Sequence, residues 1–142
     1  MAATREARAV WNGDLMSGTG MVSAVSSGKF SDLPVSWSAR TEAPGGKSSP
    51  EELLAAAHAS CYSMQLAGAL ARAGHAPEKL ATSATVGFQP GQGITGSELT
   101  VVGTVPGLSS DEFVAIAEDA KQNCPVSKAL AVEITLDARL NP

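Results

Sequence analysis

Residues 48–64, SSPEELLAAAHASCYSM, decide the fold because they predict the start of a long helix that contains a cysteine. Ser49 suits the N-cap, and Pro50 suits the first helical position, where its missing N–H group is not needed. Glu52 follows Ser49 by three residues, so the two side chains are expected to form a capping box. Glu51 is then the acidic side chain of this turn that is not needed for the cap.

The body of this helix is uncharged from Leu53 to Ala71. A run of that length meets the crude test for a membrane span, but it is mostly alanine and its polar groups fall near its middle. We therefore interpret it as a buried core helix, which ends near Ala73 because Gly74 can adopt a left-handed conformation. One stripe of the helix is expected to face its packing partner: Leu53, Ala57, Cys61, Met64 and Gly68.

Length and composition are those of one ordinary globular domain. The chain has 142 residues, of which 44% are hydrophobic and 17% charged, which predicts a single domain over residues 1–142. A net charge of −4 and a pI near 5.1 leave no basic face for a nucleic-acid backbone. Residues 1–8 carry no apolar segment or cleavage pattern, so the expected compartment is the cytoplasm.

The rest of the chain alternates between strand and helix patterns. A second capping box, Ser109 with Glu112, starts a helix, and a short helix follows from Pro125. This order predicts an α+β fold, with a mainly antiparallel sheet around the long central helix. So few strands cannot cover such a helix in a small monomer, and we therefore expect a homodimer. The strands are expected at residues 6–12, 19–27, 33–40, 80–89, 97–105 and 132–140.

The two cysteines, Cys61 and Cys124, are the candidates for chemistry. Both could be buried and behave as small hydrophobic side chains. Cys124 lies at a helix N-terminus, where the dipole and the free N–H groups favour a thiolate. Cys61 lies in mid-helix and needs a cation from elsewhere in the fold. The chain has no Cys-x-x-Cys motif and its two histidines are far apart, so no zinc site is predicted.

Three further side chains bear on the reactivity of Cys61. Arg40 is a candidate cation because it ends the third predicted strand, shortly before the helix. Glu51 complements the helix dipole, and it lies about 15 Å from Cys61 along a straight helix. It can therefore act on Cys61 only through an arginine, or on the site of a second subunit. His58 lies one turn before Cys61, where a lone histidine is more often packed and hydrogen-bonded than a catalytic base.

Three segments of the sequence resemble one known family. Residues 49–64, residues 124–130 (CPVSKAL) and residues 133–137 (EITLD) are similar to the OsmC/Ohr family of osmotically inducible and organic hydroperoxide resistance proteins. The resemblance extends over essentially the whole chain, and the His-Ala-Ser-Cys and Cys-Pro-Val-Ser motifs are closer to the OsmC branch. It implies an OsmC-like fold and an intertwined homodimer with active sites at the subunit interface.

The resemblance also implies a cysteine-based peroxidase. Cys61 falls on the peroxidatic position and Cys124 on the resolving position. Organic hydroperoxides, and less efficiently hydrogen peroxide, would be reduced through a Cys61 sulfenic acid and a Cys61–Cys124 disulfide. Glu51 falls on the glutamate that pairs with the catalytic arginine, for which Arg40 is chosen and Arg8 is the alternative. No bound cofactor is implied, and an external dithiol, for which the resemblance points to a lipoyl type, would reduce the disulfide.

Two other classes of function stay open on the sequence. The chain could bind a lipid-like ligand in an apolar dimer cleft, with both thiols inert. It could also be a redox sensor, whose disulfide changes a contact with a partner instead of turning over. Catalytic turnover with a dithiol reductant distinguishes the peroxidase from both.

Overall fold

The computed structural model describes all 142 residues, and the chain divides into two compact units. The N-terminal unit is Met1–Leu53 and the C-terminal unit is Leu54–Pro142. The division does not test whether the chain is one domain, which stays a prediction. None of the helices combines the length and the hydrophobicity that a membrane crossing requires.

The N-terminal unit contains a three-stranded antiparallel sheet in the order β1-β2-β3. Strand β1 is exposed along its whole length. Close packing requires Gly20 on β2, because a Cβ atom there would lie 2.7 Å from Trp11 Cε3 and 2.8 Å from Val35 Cγ2. The strands are β1 (Ala7–Asn12), β2 (Thr19–Ala24) and β3 (Leu33–Val35), and the first two confirm the predicted pair.

The third predicted strand is wrong beyond Val35. Ser36 has an extended backbone, and its Oγ accepts a hydrogen bond from the Ala39 N–H at 3.1 Å, which caps helix α1 (Trp37–Thr41). The alternating apolar residues favoured a strand, but a serine N-cap satisfies one of the first free N–H groups and starts a helix instead. Arg40 therefore lies in the last turn of α1 and not at the end of a strand.

Helix α2 spans Pro50–Arg72, close to the predicted bounds. Ser49 Oγ accepts a hydrogen bond from the Glu52 N–H at 3.2 Å, which confirms the predicted cap. The Glu52 carboxylate accepts a hydrogen bond from Ser48 Oγ at 2.7 Å, so only half of the expected capping box forms. Gly74 follows the helix with a φ of 85°, as the left-handed end predicts.

The C-terminal unit contains the rest of α2 and a second three-stranded sheet in the order β4-β5-β6. Strands β4 and β5 form the predicted antiparallel hairpin, and β6 pairs with β5 in parallel. Ser109 and Glu112 form the complete capping box of α3. The remaining elements are β4 (Lys79–Gln89), β5 (Gly93–Thr104), α3 (Ser110–Asn123), α4 (Pro125–Ala129) and β6 (Glu133–Leu140).

The hydrophobic core lies within the C-terminal unit, where α2 and α3 pack with the second sheet. Tyr62 on α2 is fully buried, and its hydroxyl donates a hydrogen bond to the Ala117 carbonyl of α3 at 2.9 Å. The predicted packing stripe of α2 is not the one buried within this chain, since Met64 is 74% exposed, and its contact with a second chain stays a prediction. The fully buried residues of α2 form a different stripe: His58, Tyr62, Leu66 and Leu70.

Candidate active site

The structure brings Arg40 and Glu51 together within the N-terminal unit. Arg40 Nε donates a hydrogen bond to Glu51 Oε1 at 2.9 Å, and Arg40 Nη2 lies 2.8 Å from the same oxygen. The Glu51 side chain is 8% exposed, whereas that of Arg40 is 28% exposed. Glu51 therefore holds the guanidinium from the protein side, while part of the Arg40 side chain remains exposed.

The second carboxylate oxygen of Glu51 has no hydrogen-bond partner. Glu51 Oε2 is buried, and a buried charged oxygen without a donor costs free energy. The neighbouring serines do not supply the missing donor, because Ser48 and Ser49 both form hydrogen bonds with Glu52 and not with Glu51. Glu51 thus has no helix-capping role and retains one unsatisfied acceptor.

A small apolar cavity lies beside Arg40 in the same unit. Its volume is roughly 170 Å³, and apolar atoms contribute most of its surface. The Arg40 guanidinium is the one charged group in its lining. The cavity is lined by Trp11, Leu15, Val35, Ser36, Trp37, Arg40 and Pro50.

The structure also brings the two cysteines together, within the C-terminal unit. Cys61 lies on α2, and Cys124 is the N-cap of α4. Both thiols are reduced, and Cys61 packs against the buried cluster that includes Cys124. Cys124 is fully buried, whereas Cys61 is only partly buried. The more accessible thiol is thus the one in mid-helix, and the buried thiol lies behind it.

The environment of Cys61 does not by itself favour a thiolate. Burial raises the pKa of the Cys61 thiol above its ordinary value, and this is the largest influence. A hydrogen bond from the backbone N–H of Val126 lowers that pKa, and the neighbouring Cys124 thiol raises it. A nucleophilic Cys61 therefore requires a cation in addition to these groups.

His58 is packed and hydrogen-bonded, as expected of a lone histidine on an apolar helix. Its Nδ1 lies 2.7 Å from Ser97 Oγ, and its Nε2 lies 2.8 Å from Ser127 Oγ. Burial lowers the pKa of the imidazole, which favours the neutral ring. These two serines could not be predicted as partners, because they are 39 and 69 residues from His58 along the chain.

The donor groups do not form a metal site. No three His, Cys, Asp or Glu side chains are grouped so that they could hold a metal ion. The residues that the sequence singled out instead form two pairs, one of charges and one of thiols. Arg8, the alternative arginine, lies on the exposed strand β1.

Comparison with known proteins establishes the family. The family model described as OsmC-like protein matches residues 43–139. The chain belongs to this OsmC-like family. Peroxiredoxin OsmC of Escherichia coli (strain K12) is 39% identical to it over 143 residues, which cover 99% of each chain.

Solved structures of OsmC-like proteins have the same fold. An OsmC-like protein from Mycoplasma pneumoniae superposes with a TM-score of 0.75 at 17% identity, with 100% of each chain covered. An organic hydroperoxide resistance protein from Elizabethkingia anophelis gives a TM-score of 0.71 at 24% identity, with 99% of this chain and 100% of that chain covered. The predicted family and the predicted α+β fold are therefore confirmed. The roles of Cys61, Cys124, Arg40 and Glu51 stay predictions.

Proposed function

We propose that the chain is a cysteine-based peroxidase that reduces organic hydroperoxides and, less efficiently, hydrogen peroxide. The observation that carries the proposal is the proximity of two reduced cysteines: Cys61 packs against the buried cluster that includes Cys124, and the Cys124 thiol raises the pKa of Cys61. The two cysteines occur in a full-length homologue of Peroxiredoxin OsmC, with which the chain shares 39% identity. Two reduced thiols in one cluster are the reactants that a disulfide requires.

The proposed reaction begins at Cys61. Its thiolate attacks the terminal peroxide oxygen, the O–O bond breaks, and the alkoxide leaves as an alcohol after it takes up a proton. Cys61 is then a sulfenic acid, to which Cys124 adds, so that a disulfide forms and water leaves. An external dithiol, of lipoyl type by family resemblance, returns two electrons and two protons by thiol–disulfide exchange.

Arg40 is the proposed cation that stabilises the Cys61 thiolate. Its guanidinium is held by Glu51 through two contacts to a single oxygen, which fixes its orientation. A fixed positive charge lowers the pKa of a nearby thiol, which offsets the effect of burial. Glu51 Oε2 is buried without a hydrogen-bond donor, which supports the proposal that the complete site supplies one. That donor would come from the second subunit or from the hydroperoxide O–H.

An intertwined homodimer is part of the proposal. The N-terminal unit buries one hydrophobic side chain, Ala39, and it leaves large apolar residues exposed. A unit of this size without a core of its own requires cover from elsewhere. Met64 on α2 is exposed as well, so an apolar face of the long helix also remains uncovered. The exposed apolar residues of the N-terminal unit include Val10, Trp11, Leu15, Met16, Met21, Val25 and Phe30.

The preference for organic hydroperoxides is supported by the apolar cavity beside Arg40. Its Trp11, Leu15 and Val35 walls suit a hydrocarbon tail, and the guanidinium suits the peroxide oxygens. Hydrogen peroxide has no tail to bury and would gain nothing from these walls. The cytoplasm is the proposed compartment, because a reducing environment keeps both thiols free between turnovers.

The experiment that tests the proposal is intact-mass measurement after addition of one equivalent of cumene hydroperoxide to the reduced protein. We expect a loss of two hydrogens per chain, one equivalent of alcohol, and repeated turnover when a dithiol is added. An unchanged mass with the hydroperoxide intact would contradict the proposal and favour the ligand-binding alternative. Disulfide formation without turnover would favour the redox sensor.

A further inference from the structure

His58 joins three elements of the C-terminal unit around the cysteines. The residue is 0% exposed, and both of its ring nitrogens are hydrogen-bonded. One bond reaches Ser97 on β5, and the other reaches Ser127 on α4. A neutral imidazole donates from one nitrogen and accepts at the other, and either serine hydroxyl can take the matching role. The histidine therefore fixes α4 relative to α2 and β5.

Helix α4 depends on this bond more than a longer helix would. It spans five residues, none of which is fully buried, and Cys124 makes no side-chain hydrogen bond at its start. An isolated helix of this length is not stable in water, so its position has to come from contacts with the rest of the unit. Val126 packs against the core, and Ser127 supplies the hydrogen bond to His58.

Two groups reach Cys61 from α4 and its N-cap. Cys61 and Val126 pack against the same core cluster, which includes Cys124, the N-cap of α4. The backbone N–H of Val126, next to Ser127, lowers the pKa of Cys61 by hydrogen bonding, and such a bond becomes stronger when the sulfur is a thiolate, because it is then charge-assisted. The position of Cys124 sets the geometry for a disulfide, which tolerates only a narrow range of separations. A shift of α4 would therefore disturb both the activation and the resolution of Cys61.

We infer that His58 is a positioning residue: its bond to Ser127 holds α4 so that the Val126 N–H stabilises the Cys61 thiolate and Cys124 stays within reach. The inference rests on the proposed peroxidase function. In the resolving step the Cys124 sulfur attacks the sulfenic sulfur, the S–S bond forms, the S–O bond breaks, and the oxygen leaves as water. When α4 is displaced, a second hydroperoxide oxidises the sulfenic acid to a sulfinic acid and leaves as alcohol.

Substitutions at His58 can remove its two bonds one at a time. An asparagine amide reaches about as far as Nδ1 and a glutamine amide about as far as Nε2. His58→Asn therefore keeps the Ser97 bond and loses the Ser127 bond, whereas His58→Gln does the reverse. Ser127→Ala removes the same bond from the other side with a minimal change. Ser63→Ala is the matched control, since Ser63 bonds from α2 to Thr82 on β4, at 2.8 Å, and not to α4.

The first measurement is the pH dependence of Cys61 alkylation by iodoacetamide, resolved by peptide mass spectrometry. We expect the alkylation midpoint of His58→Asn and Ser127→Ala to rise by about one pH unit, which is about tenfold slower alkylation at a fixed lower pH. His58→Gln and Ser63→Ala should keep the wild-type midpoint. This measurement needs no hydroperoxide, so it tests the positioning role even if the protein is not a peroxidase.

The second measurement is the ratio of sulfinic acid to disulfide after a pulse of excess cumene hydroperoxide. We expect a several-fold higher sulfinic share in His58→Asn and Ser127→Ala than in His58→Gln. A merely structural role would lower the thermal midpoint of all the His58 variants and leave their alkylation profiles alike. Identical alkylation profiles in folded wild type, His58→Asn and Ser127→Ala would overturn the inference. Absence of peroxide consumption in the wild type would instead overturn the proposed function.

Discussion

The two units of the chain contain different parts of the candidate site. The N-terminal unit contains a charged pair, Arg40 with Glu51, and no thiol. The C-terminal unit contains the thiol pair, Cys61 with Cys124, but burial there raises the pKa of Cys61. A peroxidatic thiol has to ionise, and a paired arginine has no chemistry of its own. We therefore propose that the two pairs act together: Arg40 supplies the positive charge that Cys61 lacks, and Cys61 supplies the nucleophile.

The units also differ in how they are stabilised. The C-terminal unit buries a continuous cluster that includes Tyr62 and Phe113, whereas Ala39 is the buried hydrophobic residue of the N-terminal unit. We therefore expect the thiol pair to rest on a rigid scaffold. The charged pair belongs to a unit that buries far less apolar surface of its own. Dimerisation would supply that burial.

Removal of the reactive thiol should have the largest effect. Cys61→Ser is expected to abolish turnover of cumene hydroperoxide with a dithiol, because serine is not an adequate nucleophile at neutral pH. Cys124→Ser is the control, since it keeps the attacking thiol. It should consume about one equivalent of hydroperoxide per chain and stall as a sulfenic acid, which a second equivalent would oxidise to a sulfinic acid. Retained turnover in Cys61→Ser would end the assignment of Cys61 as the attacking residue.

Removal of the cation should have the next largest effect. Arg40→Ala is expected to lower turnover by about a hundredfold, because the developing charge loses a fixed donor. The pH midpoint of Cys61 alkylation should rise in the same variant, since the thiolate loses its counter-ion. Arg8→Ala is the matched control on the exposed strand β1 and should keep the wild-type profile. If instead Arg8→Ala shifts the profile and Arg40→Ala does not, Arg8 is the activating residue.

Hybrid dimers can show which subunit supplies the charged pair. Chains carrying Cys61→Ser and Arg40→Ala, each with a different tag, are coexpressed and the doubly tagged hybrid is purified. If Arg40 acts on the partner's thiol, one of the two sites is intact and about half of the wild-type activity per dimer returns. If Arg40 acts within its own subunit, one site is inactive and the other lacks Arg40, so activity per dimer is about half that of the Arg40→Ala homodimer.

The sequence predicted features whose determinants are local. The capping box of Ser109 and Glu112 lies within four consecutive residues, and it forms as expected. The box of Ser49 and Glu52 forms by half, because the neighbouring Ser48 hydroxyl competes for the Glu52 carboxylate. The strand predicted through Arg40 failed for a related reason, since Ser36 caps a helix that the alternating pattern concealed. In each case the hydrogen bonds of small polar side chains determined whether and how the helix was capped.

Features that depend on residues far apart along the chain could not be predicted from the sequence. Helix α2 is apolar on nearly all sides, so its sequence has no polar face from which the buried stripe on the opposite side could be recognised. The stripe through His58 and Tyr62 is buried instead of the one through Met64. The serine partners of His58 come from β5 and α4, and only the fold brings them to the ring. The family motifs, in contrast, identified the residues of both pairs although not their surroundings.

The smallest expected effect is the dependence of stability on pH through His58. Burial lowers the pKa of His58 in the folded chain below its unfolded value, which is about 6.5. Below that pH the unfolded chain binds more protons than the folded chain, so this part of the stability is complete above about pH 6.5 and is lost as pH falls through the folded-state pKa. The thermal midpoint should therefore fall on acidification from pH 7.5 to pH 5.5, with His58 contributing on the order of a few degrees.

His58→Gln should show a smaller fall over the same interval, because glutamine does not titrate. An equal fall in both proteins would assign the acid sensitivity to other groups. A larger fall in the wild type would mean that the scaffold beneath the thiol pair loosens in acid through His58.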